Sequence, residues 1–180
     1  MRERQEIKLV DTMPEYCTKP VLVLGCGNIL FGDDGFGPAV IERILDEKEI
    51  PGNACFINAG SSAREVLFDV ALSERKPQRI IVIDAMECAA EPGAVVELGI
   101  EEIPQKKLDD FSMHQILTSN LLRELKDLCG VEVRLVVLHP VNIPGEVSPG
   151  LSVAALNAVE KAAGLVLDMC ALQKSKMRSL

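Results

Sequence analysis

The sequence predicts one α/β domain: three layers, a twisted, mostly parallel five-stranded sheet with one antiparallel strand, and helices on both faces. Three observations predict it. Short apolar runs rich in Val and Ile recur at Val21–Leu24, Ala54–Asn58, Arg79–Asp84, Ala94–Leu98 and Val131–Leu138. Each is bounded by breakers or polar residues, as strands buried on both faces of a parallel sheet are. Segments with apolar residues at helical spacing separate most of them, so right-handed crossovers are the expected connections. A chain of 180 residues is most simply a single domain with a sizeable core.

Taken in order, residues 1–20 read as an N-terminal extension of mixed charge, with a short edge strand at Ile7–Val10. The domain proper spans 21–172 and opens on VLVLGCGNILFGDDGFGP, a buried strand running into a glycine-rich loop. Pro38 suits the start of a helix whose face is Val40, Ile41, Ile44 and Leu45, closed by Ile50-Pro51-Gly52. After the second strand, Ser61 or Ser62 is placed to cap a helix with Val66, Leu67, Val70 and Leu72 on its apolar face. The third strand, RIIVID, ends on an acid. The fourth follows a Glu91-Pro92-Gly93 turn with no crossover helix before it, hence the antiparallel expectation.

A polar loop from Ile103 to Phe111 leads to Ser112 and Gln115, a capping box. The helix it opens has the stripe Leu117, Leu121, Leu122, Leu125, Leu128 and ends at Cys129-Gly130. The last strand exits through His139-Pro140 into a loop over Asn142–Gly150. Ser152 then caps a final apolar helix, and residues 173–180 form a basic tail.

Composition removes several function classes. The net charge is −8, and there is no Trp, one Tyr and five Phe. Neither a nucleic acid nor an anionic membrane suits such a surface, and stacking platforms for single strands are scarce. No apolar run is long enough for a membrane span. The six cysteines include no CxxC pair, which argues against a zinc ribbon or a dithiol redox site. The first residues, MRERQEIKLVD, are charged where a secretory signal would be apolar. A cytoplasmic protein with buried, reduced thiols is the expectation.

The candidate chemistry lies in Asp34, Asp84 and His114. Each follows a strand or opens a helix, and in an open α/β sheet the carboxyl ends of the strands face one ligand crevice. Two carboxylates and a neutral imidazole meeting there would make an open site for a borderline divalent ion such as nickel or zinc. A helix N-terminus disfavours the imidazolium and so favours the ligating form of His114. Each residue also has a plain structural reading: a surface histidine, a strand-ending acid, and a turn in which Asp33 merely caps a helix. His139 reads as a loop residue or a fourth ligand, and Cys26 as packing, a soft ligand or a nucleophile. A dinucleotide site is poorly matched, because Leu30 replaces the third glycine of GxGxxG and Asn58 replaces the acid after the second strand. A serine hydrolase elbow is absent too, since Gly60-Ser61-Ser62-Ala63 lacks the second glycine.

The ordered set resembles a known family. Gly25-Cys26-Gly27-Asn28-Ile29-Leu30 followed by Asp33-Asp34-Gly35-Phe36-Gly37 is similar to GxGNxLxxDexxG, the opening motif of the nickel–iron hydrogenase maturation endopeptidases. Ile83-Asp84-Ala85, Ser112-Met113-His114-Gln115 and Gly150-Leu151-Ser152 continue the resemblance in order. The stretch DDFSMHQILTSNLLRELKDLCGVEVR looks most like the branch serving the coenzyme F-420-reducing hydrogenase.

The resemblance implies a protease that removes the C-terminal extension of a nickel-loaded hydrogenase large-subunit precursor. It carries metal contact onto Asp34, Asp84 and His114, with the nickel supplied by the substrate. Two departures stand out: Asp34 is shorter than the Glu common at its position, and Asn58-Ala59-Gly60-Ser61 lacks the acid of Asp-x-Gly-Thr. A non-catalytic nickel-binding assembly factor is the rival reading, and a small-molecule metallohydrolase a third. The sequence leaves the oligomeric state open, with a monomer slightly favoured.

Overall fold

A computed structural model of the chain describes residues 14–103 and 113–171, with side chains defined over 14–103 and 120–170. The expected strand at Ile7–Val10, most of the polar loop after Ile103, the Ser112–Gln115 capping box, Leu117 and the basic tail lie outside those limits.

The strands are β1 (Val21–Cys26), β2 (Ala54–Gly60), β3 (Arg79–Ala85), β4 (Val95–Gly99) and β5 (Glu132–Leu138). They form one five-stranded sheet in the order β2-β1-β3-β5-β4. Every pairing is parallel except that of β4 with β5. The helices are α1 (Glu15–Thr18), α2 (Phe36–Leu45), α3 (Ala63–Leu72), α4 (Met113–Cys129) and α5 (Val153–Ala171). The predicted architecture is the observed one, antiparallel strand included.

Alternation along the strands divides the core in two. Val21, Val23, Ile81, Ile83, Val136 and Leu138 meet α2 and α5 on one face. Leu22, Leu24, Ile80, Val82, Leu135 and Val137 meet α3 and α4 on the other. Covering both faces is what makes β1 and the middle of β3 read as unbroken apolar runs. α1, at the end of the N-terminal stretch, adds buried Cys17 to the second cluster.

Three residues assigned to apolar helix faces are instead exposed: Leu45, Leu72 and Leu128. Each stands in the last turn of its helix. Ser62 occupies the N-cap of α3 but its side chain makes no capping bond. Ser152 does cap α5, its Oγ accepting the Ala155 N–H at 3.2 Å.

Helix α2 meets the sheet backbone to backbone where two glycines face each other. A Cβ on Gly37 would lie 2.2 Å from the Cys26 carbonyl oxygen and 2.5 Å from that of Ile83; one on Gly25 would lie 2.5 Å from Gly37 O. These neighbours are backbone and cannot rotate away. Gly37→Ala is therefore expected to push α2 off β1 and β3 and to destabilise the fold by about 3 kcal/mol, at the upper end of overpacking costs. Urea unfolding followed by circular dichroism measures it, and an unchanged midpoint would contradict the close-packing account.

Candidate active site

The strand order reverses between β1 and β3. The chain leaves β1 toward β2 on one side, while β3 lies on the other side of β1. At such a switch point the loops beyond the carboxyl ends diverge and leave a crevice. Both candidate acids stand there. Asp34 lies in the 3-10 turn Gly32–Gly35 that follows β1, and Asp84 is the penultimate residue of β3.

The glycines of this loop place Asp34. Gly27 has φ +112°, and a Cβ there would lie 1.9 Å from the Asp34 carbonyl oxygen. With no Cβ the chain folds back, and the Asn28 N–H donates to Asp34 Oδ2 at 2.7 Å. The Asn28 side chain in turn accepts the Leu30 N–H on Oδ1 at 3.0 Å, an Asx-type turn that fixes the bend.

Asp84 Oδ1 accepts the N–H of Ala85 at 2.8 Å. Enclosure by protein, then the charge of Asp34, push its carboxyl up to about 7, against the Ala85 hydrogen bond. Asp34 is also raised, by burial, with the Asn28 bond opposing. Among the described residues neither carboxylate has a Lys, Arg or His partner. Two oxygen-donor groups in one crevice, both held above the ordinary carboxylate range and with no described cation beside them, suit a divalent metal ion.

Helix α4 returns to β5 through Gly130 and Val131, so its first turn lies toward the same carboxyl edge of the sheet. His114 is the second residue of that helix, but its side chain falls outside the described residues. Among the described residues no three His, Cys, Asp or Glu side chains gather as a metal-holding cluster. The structure thus brings together Asp34 and Asp84 and puts the backbone of His114 on the helix expected for it.

The other candidates resolve into structural roles. His139 Nδ1 lies 2.7 Å from Cys88 O and 3.3 Å from Cys88 N, holding the β3–β4 loop. Cys26 is buried, and burial together with the Asp84 and Asp34 charges pushes its thiol well above the ordinary range. That removes it as a thiolate nucleophile. None of the six cysteines forms a disulfide; Cys17, Cys26 and Cys170 are buried, whereas Cys129 is exposed. Asn58, in place of an acid, is exposed on β2.

Asp33 was legible only as a possible cap. It is fully buried. Oδ2 accepts the N–H groups of Val141 and Asn142 at 2.8 and 3.2 Å and the Ser152 hydroxyl at 3.0 Å, and Oδ1 accepts the Ser152 N–H at 2.7 Å. Of the two adjacent acids, one staples the loop after β5 to the loop after β1, and the other faces the crevice.

Comparison with known proteins places this architecture. The fold is shared with a group of peptidases. The E. coli hydrogenase-maturating endopeptidase HybD superposes with a TM-score of 0.68 at 28% identity, covering 86% of this chain and 93% of that one. HybD of Thermococcus kodakarensis gives 0.61 at 26% identity, covering 83% and 98%. The coenzyme F-420 hydrogenase subunit delta of Methanothermobacter thermautotrophicus is 35% identical over 158 residues, 86% of this chain and 96% of its own. The profile of the family described as hydrogenase maturation protease matches residues 38–169. The chain belongs to the hydrogenase maturation protease family and is accordingly a hydrolase of peptide bonds. No helix among the described residues is long and apolar enough to cross a membrane.

Proposed function

We propose that this protein removes the C-terminal extension of a nickel-loaded hydrogenase large-subunit precursor in the cytoplasm. Its likeness to the subunit delta protein favours the coenzyme F-420-reducing hydrogenase as the one served. The observation that carries the reading is the pair Asp34 and Asp84, without cationic partners among the described residues, at the switch point of a maturation-protease fold.

In this reading the nickel is part of the substrate and supplies Lewis acidity at the scissile carbonyl. Asp34, Asp84 and His114 are the protein's contacts to it. Asp34 is oriented by the Asn28 N–H. Whichever of Asp34 and Asp84 is not fully committed to the nickel can take the proton of the attacking water. Hydrolysis needs no covalent intermediate, consistent with the buried, protonated Cys26 thiol.

The test uses purified precursor with and without nickel. The loaded form is expected to shorten on a denaturing gel and the unloaded form to stay intact. His114→Ala is expected to slow the cut at least ~100-fold, the scale of losing one positioned catalytic group. A protein that retained the precursor at full length would be an assembly factor, and the protease reading would fall.

A further inference from the structure

Beside the two carboxylates runs a surface that the chemistry does not use. The loop after β1 and the loop after β5 are laced together by backbone bonds. Gly32 N–H donates to Ser148 O at 3.0 Å, Ser148 N–H to Leu30 O at 2.8 Å, and Asp33 N–H to Asn142 O at 3.1 Å. Phe31 and Ser148 form an isolated parallel bridge, and the Asp33 carboxylate closes the join from beneath. Gly32 permits it: φ is +55°, and a Cβ there would lie 2.8 Å from Asn142 O.

Along this rim Ile29, Leu30, Val141, Ile143 and Val147 are exposed by 59, 43, 51, 44 and 66%. Scattered aliphatics on a surface need no explanation, but five on two mutually bonded loops are a concentration of the kind that marks an interaction site. The backbone bonds keep them from turning inward. The rim is also one-signed: residues 27–37 and 139–152 contain no Lys or Arg, while Glu146 is exposed and Asp34 adjoins. It continues directly into the crevice, because Asn28 holds Asp34 with its N–H and Leu30 with its side chain. A polypeptide reaching the carboxylates from this side passes over Ile29 and Leu30.

We propose that this rim is the docking surface for the segment of the precursor next to the cut bond, and that the segment is apolar with basic rather than acidic side chains. The assignment rests on the protease reading above, and it makes the rim a preformed specificity surface, set before the substrate arrives.

Processing of intact nickel-loaded precursor by Ile143→Asp and Val147→Asp tests it, with thermal melting as the folding control. KM is expected to rise ten-fold or more in both, with kcat at saturation within two-fold of wild type. Glu146→Lys is expected to raise KM at low salt and to do so less at high salt. Should an aspartate variant melt early, Ile143→Gln and Val147→Gln keep the test, with a KM rise of at least three-fold expected. Unchanged KM in the folded variants overturns the proposal. So does gel filtration showing a wild-type dimer that Val147→Asp splits without change in KM, since the rim would then meet a second copy. Failure of the protease reading looks different: the wild type itself would leave the nickel-loaded precursor at full length, whereas Asp84→Asn cutting at the wild-type rate would overturn only the assignment of the acids.

Discussion

Asp84→Asn is expected to end processing of the nickel-loaded precursor while making the metal-free protein more stable at pH 8. The two effects share one cause. The Asp84 carboxyl sits near 7 because burial and the charge of Asp34 oppose its ionisation, so at pH 8 the folded protein holds a charge that the unfolded chain carries more easily. The ordinary value of 3.8 describes the unfolded chain. Between about 4 and 7 the folded state therefore binds a proton the unfolded state has lost. The contribution of this group to stability is complete below 3.8, declines as pH rises through that window and is gone above 7. At 1.36 kcal/mol per pKa unit the full change is about 4 kcal/mol. Asparagine has the shape without the charge. Chemical unfolding between pH 4 and pH 8 is expected to show this decline in the wild type and a flatter profile in Asp84→Asn. Equal profiles would mean that Asp84 is not under electrostatic load. Added divalent nickel is expected to restore stability at pH 8 in the wild type and not in the variant, since a cation bound only by the folded state stabilises it.

That strain is characteristic of a site kept for function, and it bears on what could be read from sequence. The sheet was legible because strands covered on both faces are dominated by apolar side chains, most completely in β1 and the middle of β3, so five runs stood out from their polar boundaries. Asp34 and Asp84 were legible because strand ends and glycine loops are where such a sheet opens. The helix faces were overextended at Leu45, Leu72 and Leu128, since periodicity continues through a last turn whether or not anything packs over it. His139 showed as a loop residue, but its hold on Cys88 depends on a backbone carbonyl, which every residue type carries. Asp33 escaped for the same reason. Three of its four donors are main-chain N–H groups, two of them in the loop after β5 and the third at Ser152, and no side-chain pattern announces a carboxylate that binds backbone. Its neighbour Asp34 differs in surroundings alone: one acid meets donors on every side, and the other meets a crevice.

Asp33→Asn should accordingly cost more stability than any change on the rim it supports. The amide oxygen can replace one carboxylate oxygen, but the NH2 group must then face donors where Asp33 offered an acceptor. With Val141 N–H, Asn142 N–H, Ser152 N–H and Ser152 Oγ sharing the carboxylate, at least one buried donor is left unsatisfied and a charge-assisted bond is lost. Together these amount to roughly 3–5 kcal/mol. For a chain of this size that is a fall in melting temperature of about 10 °C. Hydrogen exchange locates the effect. The Val141, Asn142 and Ser152 amides are expected to lose protection first, while the β1 and β3 amides keep theirs until global unfolding. If the docking proposal holds, the same loss of order raises KM for the precursor. Combining Asp33→Asn with Val147→Asp is then expected to raise KM by less than the product of the two single effects, because a rim already loosened has less to lose. A melting temperature equal to wild type would show that the stapled loops hold their shape without Asp33, and the preformed rim would lose its physical basis.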